Sequence, residues 1–307
     1  MIVVGLMGGL GNQMFQYASA KAVARNLNTN LRLDITLLLN RKMDSNFTYR
    51  NYELSPFDVK EKVVTRLHQK LFVPDLFSAT EKEKRRNEKC RKWLNYHLYQ
   101  EQDEFTFEKR ILSVKNNTYL FGYFQTEKYF ENIRKDLLTN FQLREELDNR
   151  NLNLLQQINA TESVSLHVRR GDYVNAATSI HKILTPANYY KAAVEKIKQH
   201  IVSPHFFIFS DDPDYVRAEY SFLDDPVTFI SNNVGTQSYR DIELMRHCKH
   251  HIIANSSFSW WGAWLNENAQ KLVVAPGKWL NEKASNLSPL DLLPSGWVVI
   301  PINDQEK

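Results

Sequence analysis

Short apolar runs alternate along the chain with longer stretches whose apolar residues recur every third or fourth position, more cleanly in the second half than in the first. Residues 2–6 (Ile-Val-Val-Gly-Leu) are a β-branched run of strand length. From Met14 to Leu27, the residues Met14, Phe15, Tyr17, Ala18, Ala22 and Leu27 give a helix one apolar side. A second strand is predicted over 31–35, ending near Asp34, and an aromatic one over 119–125. Lys128 to Asn140 predicts a helix, and Phe141 to Arg144 leads into another that runs to about Asn159. Between 46 and 104 the periodicity degrades. Residues 60–70 and 80–94 read there as charged helices, with 81–86 a solvated face.

From residue 163 the pattern sharpens. Val164, Leu166 and Val168 alternate with Ser165 and His167, the period of a half-buried strand. Further strands are predicted at 205–210, 227–230, 251–255 and 272–275, separated by helices at 187–200, 213–219, 237–246 and 257–266. Thr185 can cap the first of these helices, with Pro186 in its first turn. Strand-then-helix order with polar strand ends predicts an α/β fold built on doubly wound, mostly parallel sheets. The polar stretch 145–160 is the expected boundary, giving an N-terminal domain over 1–155 and a C-terminal domain over 156–307.

Composition narrows the class. A chain of 307 residues suffices for two domains of roughly 150 each. Its formal charge of +4 is too weak to imply nucleic acid, and suits an anionic small ligand or a loose contact with a membrane surface. No apolar run approaches the roughly 20 residues that span a bilayer, and the first apolar stretch lacks the basic flank of a secretory signal. Cys90 and Cys248 are too few and too far apart for a disulfide framework. The expected location is the cytoplasm, including the inner face of the membrane.

Three predicted strand ends carry polar sets, and in open α/β sheets ligands bind beyond the carboxyl ends of strands. His167-Val-Arg169-Arg170-Gly-Asp172 brings two forked cations suited to a diphosphate. Asn255-Ser256-Ser257-Phe258-Ser259 opens a helix, whose first N–H groups favour an anion. Ser210-Asp211-Asp212 forms the third set. Each has a plainer alternative: a surface pair of arginine with Asp172, a serine N-cap, an aspartate start to the helix at Pro213. Their convergence points to a nucleoside-diphosphate clamp. Because Asp211 and Asp212 are contiguous, a divalent metal is not expected. His247, Cys248, His250 and His251 straddle a helix end and a strand start, so their side chains diverge and zinc is not expected either. Gly8-Gly9-Leu10-Gly11-Asn12-Gln13 sits between strand and helix, where an anion or sugar diphosphate can be received. It matches neither G-x-G-x-x-G nor a P-loop, and a tight strand-to-helix turn is the alternative.

Together the runs beginning at Gly8 (Gly-Gly-Leu-Gly-Asn-Gln-Met-Phe-Gln-Tyr-Ala), His167 (His-Val-Arg-Arg-Gly-Asp-Tyr), Phe209 (Phe-Ser-Asp-Asp) and Asn255 (Asn-Ser-Ser-Phe-Ser-Trp-Trp-Gly-Ala) resemble the α-1,2-fucosyltransferases of glycosyltransferase family 11. They come in that family's order and span nearly the whole chain. The H-x-R-R-x-D element is shared with α-1,6- and protein O-fucosyltransferases, whereas the first and last runs are more particular to family 11.

The resemblance implies a GT-B architecture of two facing Rossmann-like domains. It implies an inverting transfer of L-fucose from GDP-β-L-fucose to the 2-hydroxyl of a terminal galactose, with no metal and no cofactor. The acceptor would be a glycan or lipid-linked oligosaccharide, as in O-antigen or other polysaccharide biosynthesis. Catalytic roles fall on Arg169, Asp172 and Asn12, with Arg169 on the β-phosphate. Arg170 and Asp172 would fix the turn, and His167 and Asp211 would lie along the donor. Asn255, Ser256, Ser257 and Phe258 would supply the second phosphate contact. Asp241, with Glu243 second, would read guanine, and Gly9, Gly11, Asn12 and Gln13 form the glycine loop. No conventional general base is evident: Asp172 is expected near Arg170, Asn12 cannot act as one, and a donor phosphate oxygen is the alternative. An α-1,6-type transferase, or a non-catalytic protein binding nucleotide sugars or glycans, is the competing reading.

Overall fold

The computed structural model describes residues 1–39, 50–65, 85, 88–89, 92–93, 95–171, 185–279 and 291–302. The chain forms two compact units, Met1–Arg144 with Leu290–Leu292, and Glu145–Pro289 with Leu293–Lys307. The division falls at 144/145, ahead of residue 155, because the helix Asn149–Ala160 packs Leu154, Leu155 and Ile158 into a core with Phe207 and Phe209 of the second unit.

The first unit contains β1 (Ile2–Gly5), α1 (Leu10–Asn26), β2 (Leu31–Asp34), a single turn α2 (Thr36–Leu39), β3 (Lys62–Val63), β4 (His97–Gln100), β5 (Thr118–Phe121) and α3 (Arg134–Asn140). Its strands pair in parallel in the order β3-β2-β1-β5-β4. Every residue of β1 is buried, as the β-branched run requires of a central strand. Two predictions change here. Residues 62–63 are a strand and not a helix, because Val64 beside them packs with Val3 and Tyr119 of the sheet. The segment predicted as one helix from Lys128 begins with two 3₁₀ turns, Glu127–Tyr129 and Glu131–Ile133, before α3. The remainder of the predicted helix 60–70, and most of 80–94 with Cys90, lie outside the described residues.

The second unit contains α4 (Asn149–Ala160), β6 (Glu162–Val168), α5 (Ala187–Lys198), β7 (Pro204–Ser210), α6 (Pro213–Glu219), β8 (Val227–Ile230), α7 (Tyr239–His247), β9 (His250–Ile252), α8 (Ser257–Leu265), β10 (Val273–Pro276) and β11 (Val298–Ile300). These strands are also all parallel, in the order β11-β10-β9-β6-β7-β8. Helices cover both faces. Val164, Leu166, Phe206 and Ile208 pack with α5 and α6, and Phe207 and Phe209 pack with α4 and α7.

The alternation in β6 reads as half-buried, yet Ser163, Ser165 and His167 are buried too. A central parallel strand is covered on both sides, so its polar side chains must find partners. Ser163 Oγ accepts from the Lys249 N–H at 3.1 Å, and Ser165 Oγ meets His251 Nδ1 at 3.0 Å.

The chain runs from β6 outward to β8 and then returns to place β9 on the other side of β6. That reversal is a topological switch point, and it lies between the strands that end at Val168 and Ile252. Helix α8 is apolar nearly all round and buried, its Trp260, Trp261 and Trp264 packed on one another. Its Gly262 lets α7 approach: a Cβ there would stand 2.8 Å from Cβ of Met245. Gly262→Ala is expected to cost about 1–3 kcal/mol. At about 2–4 °C per kcal/mol for a unit of this size, the thermal melt should fall by several degrees.

Candidate active site

The switch point gathers the polar strand ends of the second unit. Beyond β6, the Arg169 guanidinium meets Asp211 Oδ2 at 2.5 Å, and Asp211 Oδ1 accepts the backbone N–H groups of Arg170 at 2.8 Å and Gly171 at 3.1 Å. One carboxylate from the end of β7 therefore shapes the turn and aims the arginine. A side chain at 171 would be excluded, since a Cβ there would lie 2.5 Å from Asp211 Oδ2. Arg170 is held differently. Its Nε donates to Asp212 Oδ2 at 3.1 Å, and its guanidinium stacks 3.4 Å from the centre of the Tyr215 ring. Asp212 also caps α6 by accepting from the Tyr215 N–H at 3.2 Å. Asp172, expected beside Arg170, lies outside the described residues. Both carboxylates of the Asp211-Asp212 pair are thus committed to arginine and backbone donors.

The start of α8 adjoins this turn. Ser256 is its N-cap, accepting from the Phe258 N–H at 3.3 Å, and Thr185 Oγ1 donates to Asn255 Oδ1 at 2.7 Å. His167 bridges the two elements. Its Nδ1 lies 2.9 Å from Ser259 Oγ and its ring 5.6 Å from that of Phe258. Burial pushes the His167 pKa down to about 4, with Arg169 adding to the effect and Asp211 opposing it. It is a neutral hydrogen-bonded wall at physiological pH. Between about pH 6.5 and 4 the unfolded chain takes up a proton that the folded one refuses, so stability is lost as pH falls through that window. Its ring resonances are expected to stay constant in NMR titrations from pH 5.5 to 8.

Asp241 sits in the first turn of α7, after β8, and accepts from Asn233 Nδ2 at 2.7 Å. Burial raises its pKa to about 7, against the lowering influence of that bond. Glu243, two residues on and on another side of the helix, meets His247 at 3.1 Å and Arg246 at 3.7 Å. The structure therefore separates the two acids. His251 lies between Ser165 at 3.0 Å and Asn266 at 2.7 Å, and His250 Nδ1 accepts from the Leu272 N–H at 3.0 Å. Among the described residues no group of three or more His, Cys, Asp or Glu side chains is arranged to hold a metal ion.

In the first unit the glycine run is shorter as a loop than expected. α1 begins at Leu10, so Gly11, Asn12 and Gln13 are helical, and only Gly8 has a left-handed backbone, φ 74°. The start of α1 does not have the electrostatics of an anion site, because Glu53 already accepts the Leu10 N–H at 2.8 Å. Gln13 is a buried pin, donating to Gly8 O at 2.9 Å and Asn51 O at 2.8 Å while accepting from the Glu53 N–H at 2.9 Å. Gly9 faces Arg50, 3.8 Å from where its Cβ would be. Asn12 is half-buried, with its Oδ1 accepting from Gln125 Nε2 at 3.2 Å. Gln125 follows Phe124, which is left-handed at φ 55° and held by Glu101, whose carboxylate accepts the N–H groups of Tyr123 at 2.7 Å and Phe124 at 2.9 Å.

The sequence did not single out Tyr215, Asn151 or Asn233, all tied to residues it did. Single hydroxyl and amide side chains, on a helix as in a loop, carry no periodic signal. Asn232-Asn233, a polar pair one residue beyond the end of β8, was the nearest to one.

Comparisons with known proteins give the family of the whole chain. The model of the family described as Glycosyl transferase family 11 matches residues 1–300. An O-antigen biosynthesis glycosyltransferase, WbnK, of Escherichia coli is 36% identical over 302 residues, 89% of this chain and 93% of that protein. An alpha-1,2-colitosyltransferase of Escherichia coli is 33% identical over 306 residues, 97% and 98% of the two chains. A galactoside 2-alpha-L-fucosyltransferase of Mus musculus is 26% identical over 272 residues, 86% of this chain and 64% of that one. Among solved structures, the NodZ alpha-1,6-fucosyltransferase soaked with GDP-fucose superposes with TM-score 0.51 at 16% identity, covering 86% of this chain and 92% of that one. That likeness is one of fold, the two-sheet α/β architecture of GT-B enzymes. With the glycine run, the arginine turn and the serine–tryptophan helix all in place on that fold, and a family match from end to end, the chain is a glycosyltransferase and belongs to family 11.

Proposed function

We propose that the protein transfers L-fucose from GDP-β-L-fucose to the 2-hydroxyl of a terminal galactose, with inversion and without a metal. The observation that carries the reading is the Arg169 guanidinium held by Asp211 beside the start of α8, at the switch point of the second sheet. Family membership and the activities named for the α-1,2 relatives support the linkage.

The reaction asks for stabilisation of a departing nucleoside diphosphate and of an oxocarbenium-like sugar, as at other glycosidic centres. Arg169 would bind the β-phosphate bidentately, with Ser256, Ser257 and the positive end of α8 on the other phosphate. His167 would wall the nucleotide and Asp241 would read guanine. Commitment of Asp211 and Asp212 to arginines supports a charge-neutralising role for cationic side chains in place of a metal. Acceptor binding is assigned to the first unit, with Asn12 and Gln125 as its polar contacts. The O-antigen role named for the Escherichia coli relative WbnK supports an acceptor of that type and a reaction at the cytoplasmic face of the membrane. Among the described residues no helix is long and apolar enough to cross one.

A related donor is a specific second reading, since a relative matched over nearly the whole chain is named a colitosyltransferase, and colitose is fucose without its 3-hydroxyl. Incubation of the protein with lactose and either GDP-fucose or GDP-colitose, in EDTA, tests both. Fucosylated product in EDTA is expected. Turnover of GDP-colitose alone would move the donor assignment, and loss of product on chelation would overturn the metal-free mechanism.

A further inference from the structure

Behind Asp241 lies a closed network of side-chain amides. Asn233 Nδ2 donates both to Asp241 Oδ1 at 2.7 Å and to Asn151 Oδ1 at 2.8 Å. Asn151 Nδ2 returns a bond to Asn233 Oδ1 at 3.0 Å and donates its other proton to the Asp148 carboxylate at 3.0 Å. Asn232 Nδ2 reaches Asn151 Oδ1 at 3.0 Å and Asn233 Oδ1 at 3.1 Å. Asn151 and Asn233 are both buried, so each polar atom must be satisfied locally.

The direction of the amides follows from the charges at the two ends. A carboxylate offers only acceptors, so Asn151 must turn its NH₂ toward Asp148. Its oxygen then faces Asn233, whose second N–H is left pointing at Asp241. Both amides are saturated in this orientation and in no flipped one. Among the described residues, Asp241 Oδ2 takes no hydrogen bond from the protein, so one oxygen is anchored and the other presented.

From this arrangement we infer that Asn233, oriented by Asn151, is a positioning residue that sets the aim of the Asp241 carboxylate and so the base specificity of the donor site. The inference rests on the proposal that Asp241 reads guanine. Two adjacent N–H donors on guanine's edge call for an ionised carboxylate, and adenine offers no such pair. A fixed donor behind Asp241 favours the ionised form in a site where burial works against it. The charged groups on the elements that meet here are Asp148, before α4, and Arg240 on α7, paired with each other at 2.7 Å, and the exposed Arg150 on α4. Arg246 and His247 are engaged by Glu243 elsewhere on α7.

The test is the ratio of GDP to ADP affinity of the full chain, measured by calorimetry from pH 6 to 8.5, in which the titration of the diphosphate cancels. The wild type is expected to favour GDP, increasingly as pH rises through 7, and Asp241→Asn to lose the preference. Asn233→Ala is expected to reduce the ratio about tenfold at pH 7, with the deficit shrinking toward pH 8.5. Asn233→Asp, nearly the same size, sets a carboxylate against Asp241 and should reduce the ratio further, giving a second reading if the alanine variant does not fold. A folded Asn233 variant that weakens GDP and ADP equally at every pH would overturn the inference and leave the base reading intact. An Asp241→Asn protein that keeps the preference would overturn the base reading, and the inference with it.

Discussion

If Arg169 holds the donor as proposed, Arg169→Ala is expected to lower kcat about 10²- to 10³-fold, because the variant loses a preorganised donor aimed at charge that develops on the leaving diphosphate. The cost of one such donor is about 2.7–4 kcal/mol. The acceptor KM should hardly move, since the arginine lies in the second unit and acceptor binding is proposed for the first. The turn itself should survive: Asp211 keeps the N–H groups of Arg170 and Gly171 when the guanidinium is gone. Arg169→Lys should recover little, because an ammonium cannot reproduce a two-pronged contact with phosphate. Steady-state GDP release checks this. A loss below tenfold would mean that the β-phosphate is held elsewhere.

Asp241→Asn is expected to raise the donor KM about 10- to 10²-fold, the worth of one charge-assisted hydrogen bond at about 1.5–3 kcal/mol. The same change should stabilise the fold at alkaline pH. Burial lifts the Asp241 carboxyl to about 7 from an ordinary 3.8. Between those values the folded state holds a proton that the unfolded chain has released, so the group's contribution to stability falls as pH rises through that window. Above pH 7 the folded protein carries a buried anion that asparagine would not. Thermal melts of the two proteins should therefore diverge between pH 5 and 8, the variant melting higher at pH 8. Equal melts with an unchanged donor KM would remove Asp241 from the site.

The second unit was nearly readable in advance because its strands are apolar runs separated by amphipathic helices, and each polar set falls where a strand stops. The Arg169 turn and the Ser256 cap were legible for that reason. Less was legible where tertiary partners decide the structure. β4 is an edge strand with only Tyr99 buried, so its pattern carries no signal, and β3 is a strand because of its packing, within a stretch that reads as helix. Gly11, Asn12 and Gln13 read as a loop, but they are helical once Glu53, some forty residues away in sequence, caps the Leu10 N–H. His167 reads as one of the exposed positions of a half-buried strand. Only the crossing back of β9 and α8, with Ser259 at 2.9 Å, makes it an interior residue. The asparagines behind Asp241 come from two segments 82 residues apart, and composition cannot bring them together.

The product's linkage tests the central claim most directly. After incubation of the protein with GDP-fucose and lactose, two-dimensional NMR of the purified trisaccharide should show one fucose in the α configuration joined to O2 of galactose. A fucose at another galactose position, or a β-linked product, would contradict the assignment. Folded protein that binds GDP but yields no fucosylated product across a panel of galactosides would contradict it too.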